Sequence, residues 1–169
     1  MIIKDKLNFK IKKKIFEIKR IQIKDISLEY IKSLNVASYL KLKKRHTFNS
    51  QSIYLKKINN SRNNFIMGIF YKEKLVGTMN TQTYKKLKIG HKNFKNIVSF
   101  GILIFIKYQK KKIGKFSIKN FSIFLKKKYN YIFSTINRKN QISIKAFLKA
   151  GFKKMNYKKN NTLFYLYKN

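Results

Sequence analysis

The alternation of apolar and polar positions in the first third of the chain predicts one strand followed by two helices. Residues Ile15–Ile23, IFEIKRIQI, alternate with the period of two that is typical of a half-buried strand. Apolar positions then recur at helical spacing after Asp25 or Ser27, and either side chain can cap that helix. A second helix is predicted to begin near Asn49 or Ser50. The side chains predicted on its inner face are Ile53, Tyr54 and Ile58.

The middle of the chain predicts a strand hairpin, a polar loop and a buried strand. Two runs rich in strand-forming residues, Asn64–Tyr71 and Lys74–Tyr84, are separated by a short polar turn, as in a hairpin. The polar segment Lys85–Lys95, KKLKIGHKNFK, is predicted to be a loop. It leads into Asn96–Ile106, whose nearly continuous apolar character is typical of a buried strand.

The last third of the chain alternates helices with strands. From Gly114 the apolar positions recur about every 3.6 residues, which predicts a helix. A short strand, Tyr131–Asn137, precedes a second helix, for which Asn140 is the predicted N-cap and Gly151 the residue that ends it. Two more strands follow within FKKMNY and TLFYLY. The order β-α-α-β-β-β-α-β-α-β-β predicts the α/β (α+β) class, with a mixed sheet and helices on both faces.

Length and the absence of a linker indicate a single domain. The chain has 169 residues and no Pro-, Gly- or Ser-rich stretch. We interpret residues 1–14 as a basic leader or an edge segment and residues 15–169 as the domain. The longest nearly apolar run, Ile97–Ile106, is half the length of about 20 residues that a membrane-spanning helix needs. Because the N-terminus is also too polar for a secretion signal, we expect a cytoplasmic protein without a membrane span.

The charge of the chain is extreme, since 42 Lys and Arg residues against five Asp and Glu residues give a net charge of +37. Such a charge favours binding to nucleic acid or to an anionic membrane surface. However, only four of the basic residues are arginine, the residue best suited to bidentate recognition of phosphates and bases. The abundance of Lys, Asn, Ile, Phe and Tyr indicates drift in an A/T-rich genome, so nucleic-acid binding is not the favoured interpretation.

Two local patterns in the second half of the chain point to a ligand. Tyr108–Lys115, YQKKKIGK, joins a buried strand to a helix, and a helix N-terminus beside a glycine can bind phosphate through backbone N–H groups. The later segment NRKNQISIKAFLKAGF begins a helix at Asn and ends it at Gly-Phe. Together they resemble the GNAT family of N-acetyltransferases, whose coenzyme turn is Gln/Arg-x-x-Gly-x-Gly/Ala and whose later segment is Asn-x-x-Ala/Ser, an aromatic residue, then Gly-Phe. The matching residues are Gln109, Gly114, Asn140, Ser143, Phe147, Gly151 and Phe152.

The resemblance extends over about Arg20–Tyr157, and it implies a GNAT-like, mostly antiparallel central sheet and an N-acetyltransferase that uses acetyl-CoA as cosubstrate. It implies that strand backbone pairs with the pantetheine arm, that N–H groups of the next turn hold the pyrophosphate, and that the capping Asn contacts the arm or the acetyl region. The cofactor-binding residues implied in this way are Ile104, Phe105, Ile106, Gln109, Lys110, Lys111, Lys112, Ile113, Gly114, Lys115, Asn140 and Ser143.

The sequence departs from the family pattern at two positions. Lys112 stands where the family has its first glycine, and if Lys112 needs a positive φ, strain of about 1–2 kcal/mol follows. Phe147 stands where many members have a tyrosine that protonates the leaving thiolate, and a phenyl ring has no proton to give. That role is then vacant, taken by water, or unnecessary.

Few side chains in this sequence are suited to acid–base or metal chemistry. The absence of cysteine excludes disulfides, zinc–thiolate sites and a cysteine nucleophile, and we expect no metal. The implied reaction requires that the ammonium proton of the amine be removed. Glu73 is predicted to be a surface residue in a hairpin turn, which leaves His46 and His91 as groups that titrate near neutral pH. We take His91 as the candidate base because its loop runs into the central strand.

Four short segments and two side chains bear on the acceptor. The segments RHTF, FIMGIF, LVGTMN and SFGILI resemble the GNAT branch that acetylates amino sugars, often nucleotide-linked, and Arg45 and Asn80 are candidates to bind such a substrate. Two alternatives stay open, namely acetylation of a protein N-terminus, as in enzymes for ribosomal proteins, and a non-catalytic nucleic-acid-binding protein. We expect a monomer or a homodimer.

Overall fold

The computed structural model describes residues 6–37 and 45–167, which form one eight-stranded sheet with four helices. The helices are α1 (Leu28–Val36), α2 (Phe48–Asn59), α3 (Ile113–Lys126) and α4 (Gln141–Lys149). The strands are β1 (Leu7–Ile11), β2 (Lys14–Arg20), β3 (Asn64–Tyr71), β4 (Lys74–Ile89), β5 (Lys92–Ile104), β6 (Tyr131–Asn137), β7 (Phe152–Lys159) and β8 (Thr162–Tyr167).

The sheet is mixed and mostly antiparallel, which confirms the predicted fold class. Its strand order is β1-β2-β3-β4-β5-β6-β8-β7, and within the described residues β5 and β6 are the one parallel pair. A parallel pair needs a crossover connection, and α3 provides it between β5 and β6.

Helices cover both faces of the sheet, as predicted. Along β3 the side chains alternate: Met67 packs in the cluster that includes residues of α3 and α4, whereas Ile66 and Phe70 pack with α1 and α2. Because successive side chains of a strand point to opposite faces, the two clusters lie on opposite sides of the sheet. No helix in the described part of the chain is long and apolar enough to cross a membrane.

The prediction of a loop over Lys85–Lys95 is wrong. β4 continues to Ile89 and β5 begins at Lys92, so the segment is the far end of a long hairpin. The lysines of this segment are exposed, but two apolar residues between them are buried. Ile89 and Phe94 pack in a third apolar cluster with residues of β6, β7 and β8. A strand with one solvated face tolerates many charges, which is why polarity alone misled the prediction.

The first segment contains the edge strand that the sequence analysis allowed, whereas the prediction for α2 needs correction. Part of the 1–14 segment forms the edge strand β1, paired with β2, while residues 1–5 lie outside the described residues. Helix α2 begins at Phe48 with Thr47 as N-cap, and on it Ile53 is 60% exposed and Tyr54 39%. The inner face of α2 is formed by Gln51, Leu55 and Ile58, so only Ile58 of the three predicted inner residues is buried.

Candidate functional site

The site begins with a gap in the middle of the sheet. β5 and β6 pair only from Ile97–Ser99 to Tyr131–Phe133. Beyond that point β5 stays paired with β4 as far as Ile104, while β6 stays paired with β8 as far as Asn137. The two parallel strands therefore separate toward their carboxyl ends, which is where open α/β sheets commonly bind ligands.

Backbone groups of β5 face this gap. Just after the strand, Phe105 donates its N–H to the carbonyl of Val76 on β4 at 3.0 Å. Because successive residues of a strand direct their N–H and C=O groups to opposite sides, Ile102 and Ile104 direct theirs toward the gap. The Ile104 carbonyl is occupied, since it accepts a hydrogen bond from Gln109 Nε2 at 3.0 Å.

Two of the three residues predicted to pair with pantetheine are engaged elsewhere. Phe105 has a fully buried side chain, and its N–H is bonded to Val76. Ile106 lies in a 3-10 turn beyond the strand, and its N–H donates to Ser33 Oγ of α1 at 3.2 Å. The backbone that borders the gap is thus shifted to Ile102 and Ile104, a correction that follows from where β5 ends.

The turn between β5 and α3 presents a row of backbone donors. Lys110 and Lys112 have φ angles of 60° and 63°, and Lys112 is the N-cap of α3, so the positive φ considered for Lys112 is confirmed. Within the described part of the chain, no acceptor bonds the backbone N–H groups of residues 110–115. Free N–H groups at a helix N-terminus, together with left-handed residues that turn them toward one side, form an anion-binding concavity.

Gly114 lies in the first turn of α3, behind this row of donors. A Cβ added there would come 3.4 Å from Ile104 Cγ1, so the helix start packs closely against the end of β5. The first turn contains no acidic side chain, and Lys110, Lys111 and Lys112 are exposed around it. The structure therefore brings the predicted cofactor-binding residues Gln109–Lys115 close to Ile104.

A cavity of about 530 Å³ extends from the gap toward α1 and α2. Its walls come from β4, β5 and β6, from α1 and α2, and from the start of α4. Predicted residues that line it are Asn80, Asn140, Ser143 and Phe147. Its size is within the usual range for a small-molecule site.

The α4 end of the cavity is formed by a helix cap and by packed aromatic rings. Asn140 Oδ1 accepts a hydrogen bond from the Ser143 N–H at 3.1 Å, so Asn140 is the N-cap that the sequence predicted. Phe147 is 2% exposed and packs against Phe100 and Phe152 with ring centroids 5.6 and 4.9 Å apart. Phe147 therefore contributes an apolar wall to the cavity and has no group that exchanges a proton.

The α1–α2 end of the cavity contains a chain of hydrogen-bonded side chains that sequence reasoning missed. The Tyr30 hydroxyl donates to Gln51 Oε1 at 3.0 Å, and Gln51 Nε2 lies 2.8 Å from His46 Nδ1. The other ring nitrogen of His46, Nε2, is buried and has no partner. All three side chains line the cavity.

The position of His46 is determined by its neighbours in sequence and by α1. Asn35 Nδ2 donates to the His46 carbonyl at 2.9 Å, and Asn35 Oδ1 accepts from the His46 N–H at 2.7 Å. The next residue, Thr47, caps α2. The one signal in the sequence is that a Thr three residues before Ser50 can start a helix directly after the histidine.

Two predicted residues do not reach the cavity. His91 is exposed in the turn between β4 and β5, beyond Ile89, which is nine residues along β4 from Asn80, or about 30 Å. The choice of His91 as base depended on the loop that the structure replaces with a strand hairpin. Arg45 is exposed and does not belong to the cavity wall.

Comparisons with known proteins address the fold. No family model and no curated protein matches the sequence. An N-acetyltransferase from Staphylococcus aureus Mu50 matches the structure with a TM-score of 0.67 at 14% identity, over 89% of this chain and 96% of that one. An acetyltransferase of the GNAT family from Streptococcus pneumoniae matches with a TM-score of 0.58 at 15% identity, over 89% and 98%. The chain has the GNAT fold.

A third match with the GNAT fold was solved with a ligand. The structure of yncA from Salmonella typhimurium with its cofactor acetyl-CoA has a TM-score of 0.62 and 12% identity, over 89% of this chain and 92% of that one. At these identities the likeness concerns the fold, and the gap, the turn and the cavity described above are features of this chain itself.

Proposed function

We propose that this protein is an acetyl-CoA-dependent N-acetyltransferase whose acceptor is a small primary amine, with an amino sugar, free or nucleotide-linked, as the preferred class. The observation that supports this most strongly is the meeting of three features in one GNAT fold. The gap between the parallel strands opens into a cavity of about 530 Å³, and the end of β5 that borders the gap packs through Ile104 against Gly114, in the turn with unpaired N–H groups.

The residues present fit acetyl-CoA. The unpaired N–H groups of residues 110–115 suit the pyrophosphate, and the backbone of Ile102 and the N–H of Ile104 suit the amide groups of the pantetheine arm. When bound, acetyl-CoA supplies an acetyl group activated as a thioester. The lysines around the turn add a positive field that favours phosphate, although each acts as a point charge without bidentate geometry.

Asn140 and Phe147 contribute to the site through where they lie in the cavity wall. Asn140 is held by its cap bond, so its amide Nδ2 is oriented at the edge of the cavity. Phe147 excludes water from the adjoining wall because it is apolar and almost fully buried. Proton transfer to a leaving group is therefore left to water or to one of the hydroxyl groups in the cavity wall, such as Ser134 or Thr135.

The amino-sugar class is supported by the chemistry of the cavity wall. Twelve of its residues have hydroxyl, amide or imidazole side chains that can bond the hydroxyls of a sugar, and the larger, apolar part of the wall suits the carbon face of a sugar ring. The alternatives named above, a protein N-terminus as acceptor or a nucleic-acid-binding role, stay predictions that the experiments below separate.

Calorimetric titration with CoA tests the proposal directly. We expect CoA to bind, and we expect Gly114→Glu to weaken binding at least about tenfold, because it adds a negative charge among the phosphate donors and a side chain against Ile104. Lys119→Gln, an exposed change on α3 that also lowers the net charge by one, is the matched control and should bind CoA as before.

Titration of a short duplex and a single strand at 50 and 200 mM salt tests the alternative role. Absence of CoA binding combined with steeply salt-dependent DNA binding would overturn the enzyme proposal. Equal weakening of CoA binding by Gly114→Glu and Lys119→Gln would show that general charge, not the turn, binds CoA.

A further inference from the structure

Among the described residues, the cavity wall contains no charged side chain, although the protein has a net charge of +37. No Asp, Glu, Lys or Arg lines it within the described residues. The titratable groups that face the cavity are Tyr30, His46 and Tyr54. An acceptor amine that entered as an ammonium ion would therefore have no counter-charge and would experience the field of a strongly positive protein.

The four described acidic residues lie away from the cavity wall. Glu17 lies between Lys6 and Lys19 at the β1 edge of the sheet, and these lysines hold its pKa below the usual value although burial alone would raise it. Asp25 Oδ2 accepts the Gln22 N–H at 2.7 Å before α1.

The other two described acids, Glu29 and Glu73, also lie outside the cavity wall. Glu29 Oε1 accepts the N–H of Lys107 at 3.3 Å, which ties α1 to the segment after β5. Glu73 is exposed in the two-residue turn between β3 and β4. None of the four described carboxylates is placed to accept a proton from an amine in the cavity.

His46 is not arranged as a base either. Gln51 Oε1 accepts the Tyr30 hydroxyl, so Gln51 presents its NH₂ group to His46 Nδ1. The Nδ1 lone pair is then occupied, and the ring proton of neutral His46 is on Nε2, which makes that nitrogen a donor. Burial raises the pKa of Tyr30 and of Tyr54, so both phenols keep their protons at neutral pH.

We propose that the acceptor amine binds in its uncharged form, so that this cavity selects amines of low pKa, those whose nitrogen lies near electron-withdrawing oxygen or carbonyl groups. The inference rests on the proposed acetyltransferase function and narrows its acceptor. The proton leaves the amine to solvent before binding. Alkyl amines of the lysine type have a neutral fraction of about 1 in 2,500 at pH 7, whereas an α-amino group has about 1 in 6. A discrimination of roughly 400-fold follows from this difference alone.

Calorimetry of the CoA-loaded protein measures the proton directly. At pH 7, in phosphate and in Tris buffer, the difference in binding heat reports protons released. We expect glucosamine to bind with release of most of one proton, and N-α-acetyl-lysinamide and spermidine to bind at least about 100-fold more weakly. A tetrapeptide with a free N-terminal serine is titrated in the same way. Tighter binding of this peptide than of glucosamine would indicate that the low-pKa amine belongs to a protein N-terminus and not to a sugar.

Two variants with the same charge change test the role of the cavity wall. Asn80→Asp places a carboxylate at the wall, and we expect it to strengthen binding of N-α-acetyl-lysinamide at least about tenfold and to reduce proton release. Gln82→Glu, exposed two residues further along β4 and outside this cavity, should change neither. His46→Gln should leave proton release unchanged.

The outcomes separate this inference from the proposed function. Failure to bind CoA overturns the acetyltransferase proposal. If CoA binds but the amines bind without proton release, the inference alone is overturned. The same holds if the alkyl amines bind more tightly than glucosamine, or if none of these amines binds. Loss of proton release in His46→Gln also overturns it, because His46 would then be the base.

Discussion

At the scale of single residues, Lys112 shows how strongly the turn before α3 is constrained. Most of the other described non-glycine residues with positive φ occupy two-residue hairpin turns, where the left-handed conformation matches the strand twist: Lys12, Lys72, Glu73 and Asn160. Lys110 and Lys112 are outside any hairpin. A left-handed lysine costs about 1–2 kcal/mol, so the surrounding packing must impose this conformation.

We expect Lys112→Gly to leave the free energy of unfolding unchanged or to raise it by up to about 1 kcal/mol. Relief of the left-handed strain is offset by the greater entropy of glycine in the unfolded chain. Urea denaturation measures the change in the free energy of unfolding. Lys111→Gly, which is not at a positive φ, is the control and should lower stability by about 0.5–1 kcal/mol. A loss of more than about 0.5 kcal/mol in Lys112→Gly would contradict the account of the turn.

Asn140 and His46 mark the limit of residue-level prediction. Asn140 is a cap whose signal is local, because Ser143 is three residues away, and the sequence predicted it. The role of His46 depends on Gln51 and on Tyr30, which is 21 residues from Gln51. A hydrogen bond between distant residues leaves no periodic pattern in the sequence. For this reason the sequence analysis named His91, and not His46, as the candidate base.

At the scale of elements, α2 forms part of the α1–α2 end of the cavity. Its N-terminus is closed by a capping box in which Thr47 Oγ1 accepts the Ser50 N–H at 3.1 Å and Ser50 Oγ accepts the Thr47 N–H at 2.9 Å. Because Thr47 follows His46 directly, the same cap sets where the imidazole stands.

We expect Thr47→Ala to lower the free energy of unfolding by about 1 kcal/mol, the usual effect of removing an N-cap. Ser52→Ala on the same helix is the matched control. Its hydroxyl bonds the Phe48 carbonyl within the helix, so its removal should change stability by less than about 0.5 kcal/mol. Equal losses in the two variants, measured by urea denaturation, would show that the cap contributes nothing specific.

The hairpin of β4 and β5 shows why an element can be missed. Its far end is lysine-rich on the solvated face, while Ile89 and Phe94 are buried against a small cluster of the C-terminal strands. The residues that cover this cluster, such as Met155 and Phe164, come more than 60 positions later in the chain. A local window therefore contains the charges but not the partner surface.

At the scale of the whole molecule, the net charge of +37 acts as a repulsion that the four described acids do little to offset. Two ion pairs are found in the described part, both to Glu17, and exposed pairs contribute at most about 1 kcal/mol each. The fold is held mainly by its buried apolar clusters on the two faces of the sheet.

We expect stability to rise with salt, by at least about 1 kcal/mol between 20 and 500 mM NaCl, because the screening length falls below the spacing of the surface lysines. The urea midpoint at each salt concentration measures this. The double variant Lys153→Gln, Lys154→Gln removes two exposed charges from β7 and should reduce the slope. A midpoint that does not depend on salt would show that the charges do not repel effectively.

The sequence by itself determined most of the elements, their order, the fold class, the cap at Asn140 and the turn from Gln109 to Gly114, because periodicity, capping and turn chemistry act between residues a few positions apart. Only the tertiary structure decided the gap between β5 and β6, the direction of the Ile102 and Ile104 backbone groups, and a cavity wall that lacks every described carboxylate. These features form where strands and helices that are distant in sequence contact one another. They depend on strand register and on side-chain contacts between those elements, which no local pattern contains.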